Sequence, residues 1–300
     1  MARFIRVLFY FIGGVVLLGI AAAVAVYFAS ETKLEKRYLI TTKSVAIPAA
    51  DAAAVARGKH IAETRGCADC HGPDYAGAKI IEDKAMGKIH GPNLTKGKGS
   101  VTAAFTDEDW VRAIRHGIAP GGRGLFFMPA AEYAKFSDED MSSVIAFLKT
   151  VPAVDRDTVP LSPGPVARAL LVAGKIKLSA DEIDHEHLQP PVVKVAPTVE
   201  YGRYLAVGCT ACHGKNFSGG KIEIGPPDWP PAANLTPHAD GRLHAWAEED
   251  FVKTLRTGKR PDGSELSTVM PRAFGLMNDV ELKALWAYLR TVPASRTGAR

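Results

Sequence analysis

The sequence predicts an all-α protein: one N-terminal membrane-spanning helix followed by two tandem helical domains. Three observations predict it. Residues Val7 to Ala29 carry no charge over 23 positions. Residues 51–150 and 197–300 repeat one another at a nearly constant offset. Within each repeat the apolar residues recur at helical spacing, and no strand hairpin is needed to explain the pattern.

The first element lies between Arg3 and Arg6 on one side and Glu31, Lys33, Glu35, Lys36 and Arg37 on the other. At about 1.5 Å per residue the uncharged run spans a hydrocarbon layer of about 30 Å. A cleaved signal peptide is the competing reading, and the small residues Ala21–Ala25 would suit a peptidase. Its apolar core is normally only about 7–15 residues, so the length favours an uncleaved anchor. Arg3 and Arg6 would hold the N-terminus on the cytoplasmic side, and either reading exports the rest. The chain therefore divides into an anchor or uncleaved signal (1–30), a juxtamembrane linker (31–50), a first domain (51–153), an interdomain segment (154–196) and a second domain (197–300).

The net charge is +5, but +4 of it belongs to residues 1–50 (6 basic, 2 acidic). Residues 51–150 balance at 13 and 13, 151–196 give −1 (5 and 6), and 197–300 give +2 (13 and 11). No general basic surface for phosphates remains, and nucleic acid is not expected as a partner.

The repeat offset is 142 at two cysteine motifs and 141 over much of the rest. Asn93-Leu94-Thr95 recurs as Asn234-Leu235-Thr236, and Thr150-Val151-Pro152-Ala153 as Thr291-Val292-Pro293-Ala294. A first helix is expected through Val55–Thr64 and Glu200–Val207. A middle helix follows Thr106, over Asp107–His116, and its counterpart covers Glu248–Thr257 with a weaker start, because Ala247 stands at the cap position. The last helix is the clearest: Met141, Val144, Ile145 and Leu148 form a stripe repeated by Leu282, Leu285, Trp286 and Leu289. Ser137 with Asp140, and Asn278 with Glu281, provide cap-like starts. Trp110, Phe251 and Trp286 are expected to be packing residues. In the interdomain segment Val166–Lys175 has helical spacing and is expected to pack across both domains.

Each repeat opens with Cys-X-X-Cys-His, at Cys67, Cys70 and His71 and again at Cys209, Cys212 and His213. Met-Pro follows 57 positions after the histidine in both copies, at Met128 and Met270. The pentapeptide is the attachment site of c-type heme: two cysteine sulfurs form thioethers, and the adjacent histidine ligates one face of the iron. The methionine thioether closes the other face. A redox dithiol or half a zinc site is disfavoured by the duplication and by the matched methionines. All four cysteines are consumed by the two motifs. The sequence thus calls for two covalently bound heme c groups, one per domain, with His71/Met128 and His213/Met270 as axial pairs. Pro129 and Pro271 would stiffen the loops that present the sulfurs.

The Gly66–Gly72 and Gly208–Gly214 cores, the Asn-Leu-Thr turns, the Met-Pro loops and the closing helix make residues 51–300 resemble the class I c-type cytochrome family. The likeness is to its membrane-associated diheme members, which serve bacterial periplasmic dehydrogenases. The resemblance implies two tandem cytochrome c-like heme domains, His/Met ligation and outer-sphere electron transfer rather than catalysis. It also implies a backbone carbonyl at Gly91-Pro92-Asn93 hydrogen-bonded to the proximal imidazole. The second repeat has Ala232-Ala233-Asn234 there. The implied donor is a periplasmic or membrane dehydrogenase, or a quinol-oxidising complex, and the implied acceptor is a soluble cytochrome or terminal oxidase. The implied location is the bacterial inner membrane, single-pass, with the heme domains in the periplasm. The alternative is a diheme enzyme of the peroxidase or thiosulfate-dehydrogenase kind with one substrate-reactive iron, against which the matched Met-Pro pairs argue.

Met86, Met141 and Met277 are the competing methionines. Met86 has no counterpart in the second repeat, and the other two sit in or beside the last helices. His185 and His187 flank Glu186 and could hold a metal ion, although a solvated surface is the simpler reading. The proline-rich insertion Lys221–Pro231 is either a partner-facing loop or a plain shield over a heme edge.

Overall fold

The structure is a computed structural model, describing residues 2–48, 51–222, 225–226 and 228–299. Helix α1 (Ala2–Leu34) is long and apolar enough to cross a membrane, and its apolar stretch is not buried against the rest of the chain. Beyond it, the two repeats have the same helical skeleton. In the first, α2 (Ala52–Thr64) leads into the short α3 (Cys67–His71), followed by α4 (Asp107–His116), α5 (Ala130–Tyr133) and α6 (Asp138–Leu148). After the interdomain helix α7 (Pro165–Val172), the second has α8 (Val199–Leu205), α9 (Thr210–His213), α10 (Glu248–Thr257) and α11 (Asp279–Leu289).

Local chemistry sets these boundaries. Asp51 caps α2 by accepting from the amides of Ala53 and Ala54, and Thr106 and Asp109 form a reciprocal capping box on α4. The α10 start has only half of that device: Asp250 accepts from the Ala247 amide at 3.0 Å, while Ala247 has no side-chain acceptor to return. This is the weaker start expected from the sequence.

In each repeat the first and last helices cross at a glycine. A Cβ on Gly58 would lie 1.9 Å from the Ser143 carbonyl oxygen, and one on Gly202 would lie 1.9 Å from that of Ala284. The crossing closes one core around Trp110, Val111, Met141, Ile145 and Leu148, and an equivalent one around Phe251, Met277, Leu282, Leu285 and Leu289. Trp110 and Phe251 are packing residues, both buried. Trp286 packs beside Phe251, with Arg290 over its ring.

The all-helical expectation needs one correction. Strands β1 (Ala78–Asp83) and β2 (Gly87–Gly91) form an antiparallel hairpin in the first repeat, and β3 (Ser162–Pro163) adds to its β2 edge. Ile80, Ile81 and Ile89 favour extended backbone. Asp83 Oδ1 accepts from the amides of Ala85 and Met86 and folds the turn. Among the described residues of the equivalent stretch of the second repeat, pairing is limited to an isolated bridge, Gly220 to Ala232. Three described prolines there, Pro226, Pro230 and Pro231, lack the amide that a ladder needs. The insertion expected at Lys221–Pro231 falls in this stretch, and its Glu223, Ile224 and Pro227 lie outside the described residues.

The two repeats dock through a reciprocal pair of contacts. His60 on α2 donates from Nε2 to Glu281 on α11 at 2.7 Å. The equivalent residue on α8, Tyr204, donates its hydroxyl to Asp140 on α6, the counterpart of Glu281. Arg65 adds a hydrogen bond to the Leu205 carbonyl at 2.8 Å.

Helix α7 does not itself pack across both repeats, although Val193 further along the interdomain segment packs against the second core. Helix α7 is shorter than the expected Val166–Lys175 and lies against α1, while the following turn Ser179–Glu182 lies against the first repeat. Its short extent follows from Pro165 at the N-terminal end and Gly174 at φ +70° just beyond the C-terminal end.

Candidate functional site: two heme-binding centres

Gly66, at φ +71°, turns the chain out of α2 and into α3, a single helical turn. Cys67 and Cys70 are three apart and therefore lie on one side of it. Gly72, at φ +80°, ends the turn immediately after His71. The imidazole is fixed by its own Nδ1, which donates to the Pro92 carbonyl at 3.0 Å. That leaves Nε2 as the ring atom that could coordinate a metal. Burial lowers the His71 pKa, opposed by the Pro92 hydrogen bond, which keeps the ring neutral as a ligand must be. In the second repeat His213 Nδ1 donates to the Ala233 carbonyl at 2.7 Å. The carbonyl survives the change from Gly-Pro-Asn to Ala-Ala-Asn because only the backbone is used.

Burial pushes the Cys67 and Cys209 thiols up to about 12. They are neutral and apolar in their surroundings, unlike the exposed low-pKa thiols of redox dithiols.

Met128 packs against the first core, as do Cys67, Ala68, Leu94 and Phe105. Met270 lines an apolar cleft together with Cys209, His213, Leu235, Trp246 and Phe274. The competing methionines are elsewhere: Met141 and Met277 are fully buried in the two cores, and Met86 accepts from the Gly164 amide at the hairpin turn.

The cleft suits a porphyrin carrying two carboxylates. Its walls are apolar and Arg242 and Arg260 stand among its lining residues. Thr254 Oγ1, also in the lining, is buried and has no hydrogen-bond partner among the described residues. Sequence reasoning missed these three, which have no heme motif to flag them. Their equivalents in the first repeat, by the offset of 141, are Val101, Ala119 and Ala113.

A family model for cytochrome c matches residues 55–152 and again 199–293. The chain belongs to the cytochrome c family. Its two copies of the domain imply covalently attached heme c. The cytochrome is 29% identical over 270 residues to the fructose dehydrogenase cytochrome subunit of Gluconobacter japonicus, covering 80% of this chain and 53% of that one. It is 26% identical over 275 residues to the gluconate 2-dehydrogenase cytochrome c subunit of Pantoea cypripedii, covering 82% and 61%. A diheme cytochrome c-type protein of Cereibacter sphaeroides is 28% identical over 262 residues, covering 79% and 86%, which supports two hemes. The cytochrome therefore spans between half and two thirds of the length of the dehydrogenase subunits it matches.

The two motifs adjoin across the domain contact. Arg65 and Glu132 of the first repeat are charge neighbours of Cys209 in the second, and a small pocket between the repeats is lined by Arg65, Glu132, Tyr133, Tyr204, Gly208 and Phe274. Burial pushes the Glu132 carboxyl up to about 7, opposed by Arg65 and Lys135.

The paired histidines His185 and His187 do not converge. His185 turns inward, where its Nε2 donates to the Ala180 carbonyl and its Nδ1 accepts from His116 at 3.0 Å. His187 is exposed beside Asp184. No group of three or more metal-ligating side chains occurs among the described residues.

Proposed function

We propose that this cytochrome is a membrane-anchored diheme electron carrier. It passes single electrons from a periplasmic dehydrogenase, or a quinol-oxidising complex, to a soluble cytochrome or terminal oxidase. The observation that carries this reading is the adjacency of two equivalent centres, whose Cys-X-X-Cys-His turns meet at Arg65. Helix α1 is the anchor, with the two repeats on the periplasmic side of the bacterial inner membrane.

His71 with Met128, and His213 with Met270, are the axial pairs, and the four cysteines are the thioether attachments. Bound heme supplies an iron that alternates between ferric and ferrous states with little rearrangement. Pro92 and Ala233 hold the imidazoles through their carbonyls, and the apolar cores exclude water from the porphyrin faces. With His71 and Met128, and His213 and Met270, as ligands, neither iron would be open to a substrate, which supports a carrier rather than a catalyst. The relatives named as cytochrome subunits of fructose, gluconate and alcohol dehydrogenases support a dehydrogenase as donor.

Potentiometric titration of Met128→His and Met270→His tests the ligand set. Each substitution lowers the potential of one heme, because thioether ligation favours the ferrous state relative to a second imidazole. An unchanged potential in either variant removes that methionine from the set.

A further inference from the structure

The end of α1 is not isolated from the rest of the chain. Its Ser30 is fully buried, and so are Ala167 and Leu171 on α7. Arg168 of α7 donates to Ser30 Oγ at 2.7 Å, pairs with Glu31 at 2.7 Å and lies 4.5 Å from the centre of the Tyr27 ring. Lys33 donates to the carbonyls of Leu171 and Val172, the C-terminal end of α7, at 3.0 and 3.3 Å. Further along, Lys36 pairs with Asp181 and the Tyr38 amide donates to the Gly122 carbonyl at 2.8 Å. The interdomain segment thus climbs beside the helix, and α7 stands level with residues 27–33, where the uncharged run ends.

The segment at that level is both apolar and basic. Val159, Leu161 and Val166 are each more than a third exposed. From Thr158 to Ala180 there are three basic residues, Arg168, Lys175 and Lys177, and no acidic one, whereas Asp181, Glu182, Asp184 and Glu186 follow immediately. The first-repeat hairpin reaches the same place. Gly164 and Val166 donate their amides to Met86 and Ala85 at 2.9 Å, Lys84 is exposed at its tip, and Lys88 pairs with Glu82 at 3.6 Å.

We infer that α7, with Val159–Leu161 and the hairpin tip, is a second membrane contact that seats the first repeat on the lipid surface. This rests on the reading of α1 as a membrane-spanning anchor. Val159, Leu161 and Val166 enter the boundary between headgroups and acyl chains, and Lys84, Lys175 and Lys177 face anionic headgroups. A helix crossing the bilayer and a short helix fixed to its end define an orientation that a tether alone would leave free. The first heme centre then keeps a fixed attitude to the membrane and to any partner embedded in it.

Nitroxide labelling of full-length holoprotein tests the contact, since the native cysteines are consumed by thioethers and an added one is unique. Val166→Cys, Val159→Cys, Leu17→Cys and Val280→Cys are labelled and reconstituted in vesicles of phosphatidylethanolamine and phosphatidylglycerol. Collision with oxygen, which enters lipid, is compared with collision with a water-soluble nickel chelate. The expected result is an oxygen-to-nickel ratio at 166 and 159 several-fold above that at 280, approaching that at 17. A lipid-like value at 17 with aqueous values at 166 and 159 overturns the contact while leaving the anchor. Aqueous values at 17 overturn the anchor and the contact together. Labels at 166 and 159 shielded from both reagents indicate a protein neighbour and overturn the lipid assignment. If Val166→Cys loses its heme spectrum, Val159→Cys decides.

Discussion

The two ligand loops leave the middle helices in the same way and are then held by different means. The Leu125 amide donates to the Gly117 carbonyl at 2.7 Å, and the equivalent Leu266 amide donates to that of Gly258 at 2.7 Å. From there the first loop reaches Met128 in three residues and the second reaches Met270 in four. The shorter path forces Phe127 to φ +70°, a conformation that costs a bulky L-residue on the order of 1 kcal/mol or more. The strain is offset by a strap from the interdomain segment. Phe126 bridges Leu178, and Ser179 donates its amide to Leu125 and its hydroxyl to the Met128 carbonyl at 2.6 Å. His116 and His185 fasten the end of the strap at 3.0 Å. The second loop is held locally, by the Met270 amide on the Ser267 carbonyl at 3.0 Å. One domain design therefore tolerates two solutions to presenting a thioether: a tertiary strap that also runs to α1, or a longer self-contained turn.

The largest effects test what the halves share. Gly58→Ala and Gly202→Ala should each destabilise the holoprotein by about 3 kcal/mol, since neither carbonyl can retreat from the added carbon. Thermal unfolding measures both, and unequal losses would break the equivalence of the two helix crossings.

An intermediate effect separates the reciprocal domain contacts. The hydrogen bond to Glu281 raises the His60 pKa above 6.5, against desolvation. Desolvation works to raise that of Glu281, but His60 and the Asn278 amide outweigh it and the net shift is below 4.5. The histidine's share is complete below pH 6.5 and is lost as pH rises through its raised folded value. The glutamate's share is present above pH 4.5 and is lost as pH falls through its lowered folded value. Stability should thus drop by about 1 kcal/mol on going from pH 5.5 to well above the His60 value, a charge-assisted bond discounted for its partial exposure. His60→Gln should flatten that dependence. The Tyr204 contact should not respond over this range, because burial and Asp140 raise the phenol pKa further.

The smallest effect is confined to one loop. Ser179→Ala leaves the Met128 carbonyl without its hydroxyl donor and should cost about 1 kcal/mol. Imidazole should then displace the first methionine at a roughly fivefold lower concentration, with no change at the second. Equal changes at both centres would show that the strap is not specific to Met128.

Much of the skeleton was legible in the sequence because it rests on local signals. The α4 and α10 limits follow from Thr106, Asp109 and the helical stripe, and the last helices from Ser137 and Asn278. The candidate motif residues of both centres stand out in the sequence because covalent attachment of heme would require the fixed Cys-X-X-Cys-His spacing. The hairpin was missed because its strands, Ala78–Asp83 and Gly87–Gly91, are short, the first breaks apolar–polar alternation at Ile80-Ile81, and its stabilising partner β3 lies about 70 residues downstream. The strap and the reciprocal contacts of His60 and Tyr204 were equally invisible, since each pairs residues far apart in sequence. Arg242, Arg260 and Thr254 belong to the second cleft only through folding. The extra residue before Met270 was in plain view as the change of offset from 141 to 142, but only the structure connects it to Phe127.

The most direct test of the carrier reading is carbon monoxide difference spectroscopy on the dithionite-reduced, full-length holoprotein. Two irons closed by His71/Met128 and His213/Met270 should give no spectral change. A change equivalent to one heme would mean that one iron is open to substrate and would contradict the account.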